Sequence, residues 1–151
     1  KYAERLGKTV CLEPLNRFET DFINTMEQGL QMIRDVNSPA LKLHLDTFHA
    51  NIEEKSLDKA VLKAAKQLAH IHACGNDRGT PGNDHIDWKR FGAALKSINY
   101  QGDVVIESVT LDVPQIAKSA AIWRRMEPTR DEIAVEGLKF LKKTLSPKRS
   151  R

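Results

Sequence analysis

The sequence has 151 residues, of which 40% are hydrophobic and 29% are charged, and its formal net charge is +4. This composition is typical of a folded globular domain, and no apolar run approaches the roughly 18 residues that a membrane helix needs. The net charge of +4 comes largely from "KFLKKTLSPKRSR" at the C-terminus, which indicates a helix end and a solvated tail rather than a nucleic-acid surface. Two cysteines make no disulfide framework, which favours a cytoplasmic location. We therefore expect neither a membrane nor a nucleic acid as a partner.

The hydrophobic pattern alternates between short strands and longer helices. The first ten residues, "KYAERLGKTV", indicate the end of a helix that runs into a strand. Short apolar or β-branched runs predict strands at residues 9–13, 41–46, 70–74 and 103–107. Apolar residues at three and four spacing predict helices at residues 25–36, 57–68, 88–98 and 131–145, with Asn24, Ser56 and Asp87 as candidate N-caps for the first three. Repeated strand–helix units imply an α/β fold with parallel strands and right-handed crossovers.

Each predicted strand ends in or near an acid or a histidine, namely Glu13, Asp46, His72 and Glu107. Two folds accommodate repeated strand–helix units, the open doubly wound sheet and the (β/α)₈ TIM barrel. In a barrel the C-terminal strand ends converge on one site, whereas in an open sheet they are spread along a row. The pattern therefore favours the TIM barrel.

A complete TIM barrel takes about 250 residues, and this sequence has four strand–helix units. We therefore interpret residues 1–151 as the C-terminal half of such a barrel, strands 5–8, without its N-terminal half. Half a barrel has two edge strands and an open inner face. We expect it to associate with the N-terminal half or with a second copy of itself as a homo-oligomer.

Three carboxylates and one imidazole at converging strand ends form a ligand set for a divalent metal. Oxygen-rich sites suit hard ions, and the single nitrogen favours Mn²⁺, with Co²⁺ or Mg²⁺ also possible. The alternative is that these acids are helix N-caps or surface groups. His44 and His70 lie one layer below the strand ends and are expected to pack or to form hydrogen bonds, and His85 is expected in a loop, bonded to backbone.

Four strings, "CLEPLNRFETD", "LKLHLDTFHANIEE", "HIHACGNDRGTPGNDHIDW" and "DVVIES", occur in this order. Together they resemble the D-tagatose 3-epimerase and D-psicose (allulose) 3-epimerase group of the xylose isomerase-like TIM-barrel superfamily. The resemblance implies a metal held by Glu13, Asp46, His72 and Glu107. It also implies that Glu19, His49 and Arg78 contact the hydroxyl groups of a sugar.

The activity that the resemblance implies is metal-dependent epimerisation of a free ketose at C3 through an enediolate. Glu13 and Glu107 would exchange the C3 proton from opposite sides of the sugar. The sequence has no glycine-rich phosphate loop, which favours a free sugar over a sugar phosphate. Without the first half of the barrel, we expect poor activity.

Three other activities of the superfamily remain open: ketose–aldose isomerase, hydroxypyruvate isomerase-like enzyme and inosose dehydratase. An endonuclease IV-like activity is disfavoured, because its trinuclear zinc site needs more histidines and acids than these strands supply. A non-catalytic half-barrel fragment is a further alternative.

Overall fold

The computed structural model describes residues 1–145, so residues 146–151 of the predicted basic tail lie outside the described residues. Four strands alternate with helices along the chain, as the sequence predicts. The strands are β1 (Val10–Leu12), β2 (Leu41–Asp46), β3 (Leu68–Ala73) and β4 (Asp103–Ile106). The helices are α1 (Tyr2–Arg5), α2 (Met26–Val36), α3 (Thr47–Glu53), α4 (Leu57–Ala64), α5 (Trp88–Ser97), α6 (Pro114–Ser119) and α7 (Arg130–Leu145). Within residues 1–145, no helix combines the length and the apolar character needed to cross a membrane.

The four strands form one parallel sheet in the order β1-β2-β3-β4, which is also their order along the chain. A doubly wound sheet reverses its strand order at a switch point, whereas a barrel adds each strand beside the one before it. The consecutive order is therefore that of a barrel segment. Only β2 and β3 have a neighbour on both sides, so β1 and β4 are the two edges of the sheet among the described residues.

The two faces of the sheet have opposite chemistry, because side chains alternate along a strand. Leu43, Leu45 and Ile71 point to the helices and are fully buried. Phe91 of α5 and Val61 of α4 are also fully buried and join them in one hydrophobic core. The opposite face carries Lys42, His44, His70 and His72, so the inner face of the barrel segment is polar.

The predicted helix at residues 57–68 is too long at its C-terminal end. Helix α4 ends at Ala64 and continues as a 3₁₀ turn, Ala65–Gln67, before β3 begins at Leu68. Ala65 has a φ of 45°, which takes the chain out of the helix, and Leu68 then pairs with Leu43 in the sheet. An apolar residue such as Leu68 fits the buried face of a helix or of a strand. Because Leu68 pairs with β2, it belongs to strand β3.

The N-cap of α2 is Thr25 and not the predicted Asn24. The Thr25 side chain accepts a hydrogen bond from the backbone N–H of Gln28, and the Gln28 side chain accepts one from the backbone N–H of Thr25. This reciprocal pair is a capping box. The Asn24 side chain instead donates to the carbonyl oxygens of Leu15 and Thr20 and so fixes the loop after β1.

Of the other two predicted N-caps, one caps its helix and the other does not. Asp87 caps α5 by accepting from the backbone N–H of Arg90, as predicted. Ser56 precedes α4, but its side chain donates to Asp58 and does not cap the helix. The short helices α3 and α6 were not predicted.

Gly82 provides a test of the packing around the loop after β3. Its φ is +94°, and a Cβ atom added there would lie 2.6 Å from atoms of the Phe140 ring in α7. Gly7 also has a positive φ, of +59°, but a Cβ atom there would meet nothing within 4 Å. We expect Gly7→Ala to lower the free energy of unfolding by about 1–2 kcal/mol, and Gly82→Ala to lower it by about 1–3 kcal/mol more. Urea denaturation measures both, and equal losses would contradict this packing.

Candidate active site

Glu13, Asp46, His72 and Glu107, predicted as metal ligands, lie at the C-terminal end of the parallel sheet. Asp46 is the last residue of β2 and pairs in register with His72 of β3. Glu13 follows β1 directly, and Glu107 follows β4, where its backbone N–H donates to the carbonyl oxygen of Ala73. The parallel topology thus brings one functional side chain from each strand to one edge.

The two carboxylate oxygens of Asp46 have different partners. Oδ1 accepts a hydrogen bond of 2.7 Å from the backbone N–H of Phe48 and so caps helix α3. Oδ2 accepts one of 2.8 Å from the Arg78 guanidinium and faces the inner side of the site. Asp46 is only 1% exposed, so both oxygens are held without bulk water. The sequence left a helix cap and a site residue as alternatives for Asp46, and Asp46 is both.

His72 lies between two carboxylates. Its Nδ1 atom is 3.4 Å from Oε1 of Glu107 and 3.9 Å from Oδ2 of Asp46. This nitrogen is buried and has no hydrogen-bond partner among the described residues. A buried polar atom without a partner is costly, and here it faces the space that the carboxylates share.

Glu13 approaches the site from the other edge of the sheet. Its Oε2 atom lies 3.6 Å from Nδ1 of His44, and its Oε1 atom lies 3.9 Å from Nε2 of His49. One ligand atom each from Glu13, Asp46 and His72 lie within 4.8 Å of one another. This is a span that modest side-chain rotation can close around an ion.

Arg78, predicted to contact sugar, lies inside the same cluster. Its Nη1 atom donates to both Asp46 and Glu107, and its guanidinium lies over the Phe48 ring, 4.4 Å from the ring centre. The Arg78 backbone has a φ of 68°, a conformation that non-glycine residues seldom adopt. The loop after β3 is thus shaped to turn this one side chain back over the strand ends.

His49, the second predicted sugar contact, is held by a residue that the sequence did not indicate. The backbone N–H of Asn16 donates to Nδ1 of His49 at 3.1 Å, and the Asn16 amide nitrogen lies 2.9 Å from the same atom. That amide also donates to Glu19, the third predicted contact, at 2.9 Å. Asn16 is only 2% exposed and ties both residues to the loop after β1. Its spacing of three from Glu19 is the one sequence signal that points to it.

The remaining histidines have packing or loop roles. His44, His70 and His72 pack edge to face, with ring centres 4.1–5.1 Å apart, which agrees with the prediction for His44 and His70. One ring nitrogen from each of the three histidines also lies within 4.8 Å of the other two, so they form a second group with metal-ligand spacing that shares His72 with the strand-end carboxylates. The His85 ring lies 3.3 Å from the side chain of Asn51 and not against backbone, so that part of its prediction is wrong.

The electrostatics of the cluster oppose full ionisation of its acids. Burial raises the pKa of Glu13 to about 7, with the charge of Glu107 adding to the effect, and burial also raises the pKa of Asp46. Burial alone would raise the pKa of Glu107, but hydrogen bonding to Asp46 and the Arg78 guanidinium lower it. Burial lowers the pKa of His49 to about 4 and that of His72 as well, so both imidazoles are neutral near pH 7.

This donor set fits a divalent cation. A neutral imidazole with an unpartnered, inward-facing Nδ1 is ready to donate a lone pair, and the neighbouring carboxylates supply oxygen ligands. Carboxylates gathered in a buried site carry a large desolvation cost unless a cation accompanies them. His72, Asp46, Glu13 and Glu107 are therefore chemically suited to hold a metal of the Mn²⁺, Co²⁺ or Mg²⁺ type.

The consecutive parallel strands, with acids and a histidine at their C-terminal ends, are those of a TIM-barrel enzyme class. The family model described as "Xylose isomerase-like TIM barrel" matches residues 1–144, and the chain belongs to this family. The fold predicted from the sequence and the superfamily resemblance are both confirmed.

Several of the relatives that this chain resembles are sugar epimerases by name. The chain is 46% identical over 145 residues to a probable ketose 3-epimerase of Synechocystis sp., covering 94% of this chain and 50% of that protein. It is 38% identical over 143 residues to an L-ribulose 3-epimerase of Methylomonas sp., covering 93% and 50% of the two chains. It also superposes on a crystal structure of a D-psicose 3-epimerase in the presence of D-fructose, with a TM-score of 0.91, 35% identity, and 97% and 52% of the two chains covered. The chain thus spans about half the length of the curated relatives it matches.

Proposed function

We propose that this chain carries the metal and acid–base groups of a ketose 3-epimerase. The observation that carries the proposal is the convergence of Glu13, Asp46, His72 and Glu107 at the C-terminal end of the sheet, the face on which TIM-barrel active sites lie. The names of its relatives, which include a ketose 3-epimerase and an L-ribulose 3-epimerase, support the same reaction class.

The two acid–base groups come from opposite edges of the sheet. Glu13 follows β1 and Glu107 follows β4, with β2 and β3 between them, so their carboxylates approach a bound sugar from opposite sides. One carboxylate takes the proton from C3, and the electron pair of the broken C–H bond passes into an enediolate. The other carboxyl group returns a proton to the opposite face of C3, and the roles exchange in the reverse reaction. A divalent ion, when bound, supplies the positive charge that stabilises the developing oxyanion.

The proposed sugar contacts are Glu19, His49 and Arg78. Asn16 fixes the ring of His49 through Nδ1, which leaves Nε2 to face the site. Arg78 supplies several N–H donors for oxygen atoms of the substrate. Glu19 is the most exposed of the three, and we assign it to the C1 end of the sugar.

The proposed substrate is a free ketose. The direct test incubates a preparation that spans the full length of the relatives with Mn²⁺ and a panel of free and phosphorylated ketoses, and then separates the products. Interconversion of free ketoses that differ at C3 supports the proposal. Aldose products would instead indicate the ketose–aldose isomerase alternative, and no turnover of any sugar would favour the non-catalytic fragment.

We propose Mn²⁺ as the metal, with Co²⁺ and Mg²⁺ as alternatives, because three of the four proposed ligands are carboxylates. We also propose a cytoplasmic location. Cys11 and Cys74 are both free thiols, which suits a reducing compartment.

Metal affinity should depend on pH through Glu13. Because the pKa of Glu13 is raised to about 7, this carboxyl group is protonated at lower pH, and a metal must displace its proton to bind. The apparent affinity for Mn²⁺ is therefore expected to fall by up to about tenfold per pH unit for each proton displaced as the pH drops below 7, and to level off above it. Calorimetric titration across this range measures the slope, and an affinity that does not change below pH 7 would contradict the prediction.

The open edges of the sheet lead to a proposal about assembly. Strands β1 and β4 each have one unpaired side, and Val105 of β4 is 42% exposed on the inner face. We propose that four further strand–helix units close the barrel, from an N-terminal half or from a second copy. Sedimentation of the purified 151-residue chain at micromolar concentration is expected to show association. A stable monomer with cooperative unfolding would contradict it.

A further inference from the structure

The guanidinium of Arg78 lies where two of the proposed metal ligands meet. Its Nη1 atom donates to Oδ2 of Asp46 at 2.8 Å and also to Glu107. The Arg78 side chain is 8% exposed and that of Asp46 is fully buried, so this ion pair is shielded from bulk solvent. Two neighbouring carboxylates in such a place need a cation, and arginine remains charged at any physiological pH.

The rest of the same guanidinium is poorly satisfied. Its Nε atom is buried without a hydrogen-bond partner among the described residues. Its Nη2 atom lies 2.9 Å from Nε2 of His49, whose Nδ1 already accepts from the backbone N–H of Asn16. An imidazole has at most one accepting ring nitrogen in either protonation state, so Nε2 cannot also accept. Arg78 therefore donates to the two carboxylates, while its Nε and Nη2 groups are left without an acceptor among the described residues.

We propose that Arg78 is an internal counter-cation, which competes with the divalent metal for Asp46 and Glu107 and releases them when the metal binds. This inference rests on the proposed metal site. A divalent ion brings twice the charge of Arg78 to the same oxygens and can also bind the unpartnered Nδ1 of His72. Once released, the guanidinium is free to direct its donors to the oxygens of the sugar. One side chain thereby holds the acids together before metal binding and contacts substrate after it.

The alternative role makes the opposite prediction. If Arg78 keeps its bonds to both carboxylates in the metal-bound state, it orients them as ligands, and its removal weakens metal binding. If it competes, its removal strengthens metal binding. The sign of the change in affinity therefore separates the two.

The test is a Mn²⁺ titration of the full-length protein, in which electron paramagnetic resonance reports the free ion. Arg78→Gln is expected to bind Mn²⁺ more tightly than the wild type, by about tenfold or more. The reason is that charge-assisted hydrogen bonds no longer compete with the metal for Asp46 and Glu107. Arg78→Lys keeps the competing charge and is expected to stay closer to the wild type. Arg90→Gln is the matched control, since Arg90 is exposed and pairs with Asp58 away from the cluster, and its affinity should not change.

A second measurement does not depend on the variants folding. In the wild-type protein, addition of diamagnetic Mg²⁺ is expected to shift the NMR resonance of the Arg78 Nε–H group. An unshifted resonance at saturating Mg²⁺ would overturn the inference.

The outcomes distinguish this inference from the proposed function. Tighter binding by Arg78→Gln supports the inference, even if the wild type binds too weakly to measure. Equal or weaker binding by Arg78→Gln beside a wild type that binds Mn²⁺ overturns the inference and leaves the proposed function standing. If neither protein binds Mn²⁺, the metal site and the inference both fail.

Discussion

Replacing Glu107 by glutamine is expected to abolish C3 epimerisation, with turnover reduced by about 10³-fold or more. The substitution keeps the volume of the side chain but removes a base and a ligand charge. Glu107 also accepts from Arg78 and lies 3.4 Å from Nδ1 of His72, so its charge contributes to the whole cluster. Steady-state kinetics of the full-length protein with saturating Mn²⁺ measure the effect.

The control for this variant is Glu136→Gln. Glu136 is exposed on helix α7 and pairs only weakly with Lys139, so its loss should leave turnover unchanged. Both variants should retain the circular dichroism of the wild type, because the Glu107 side chain is 41% exposed and does not belong to the hydrophobic core. Near-normal turnover by Glu107→Gln would remove Glu107 from the mechanism.

Removal of the metal is expected to have an effect of similar size. A chelator should eliminate epimerisation, and Mn²⁺ or Co²⁺ should restore it better than Zn²⁺, because three of the four proposed ligands are carboxylates. Metal should also stabilise the fold, by about 2.7 kcal/mol when its concentration is 100 times the dissociation constant. Activity assays and thermal unfolding with and without Mn²⁺ measure the two effects separately.

A pair of aspartate variants tests whether the stabilisation comes from this site. Asp46→Asn removes a proposed ligand and should lose the Mn²⁺-dependent rise in unfolding temperature. Asp35→Asn alters an exposed residue that bonds to Gln31 on α2, so it should keep the rise. Full activity after exhaustive chelation, with no metal found in the protein, would reject the metal-dependent mechanism.

The sheet could be predicted from the sequence because each strand carries its own signal. Runs such as "LKLHLD" alternate between leucines that face the helices and polar residues that face the inner side, and the strand bounds at Leu41–Asp46 agree with the prediction. The short helix α3 was missed because the loop-like start of "TFHANIE" gives little helical periodicity. Its N-terminus depends on Asp46, whose capping contact with Phe48 is a property of the folded strand end.

The sequence indicates which residues lie at the site better than it indicates which of them contact one another. Strand-end position places Glu13, Asp46, His72 and Glu107 together, since parallel strands end at one edge. The bond from Asn16 to His49 joins residues 33 positions apart, and it forms only because the loop after β1 folds over α3. The position of Arg78 between two carboxylates depends on a φ of 68°, which no residue pattern specifies.

Proton exchange by these residues at C3 of a free ketose can be followed by NMR in D₂O. The full-length protein with Mn²⁺ is incubated with a free ketose, and deuterium is located in the substrate and in the product. The epimerised product is expected to carry solvent deuterium at C3, because Glu13 and Glu107 each exchange protons with water between turnovers. An aldose product that carries deuterium at C2, or no deuterium at any carbon, would contradict it.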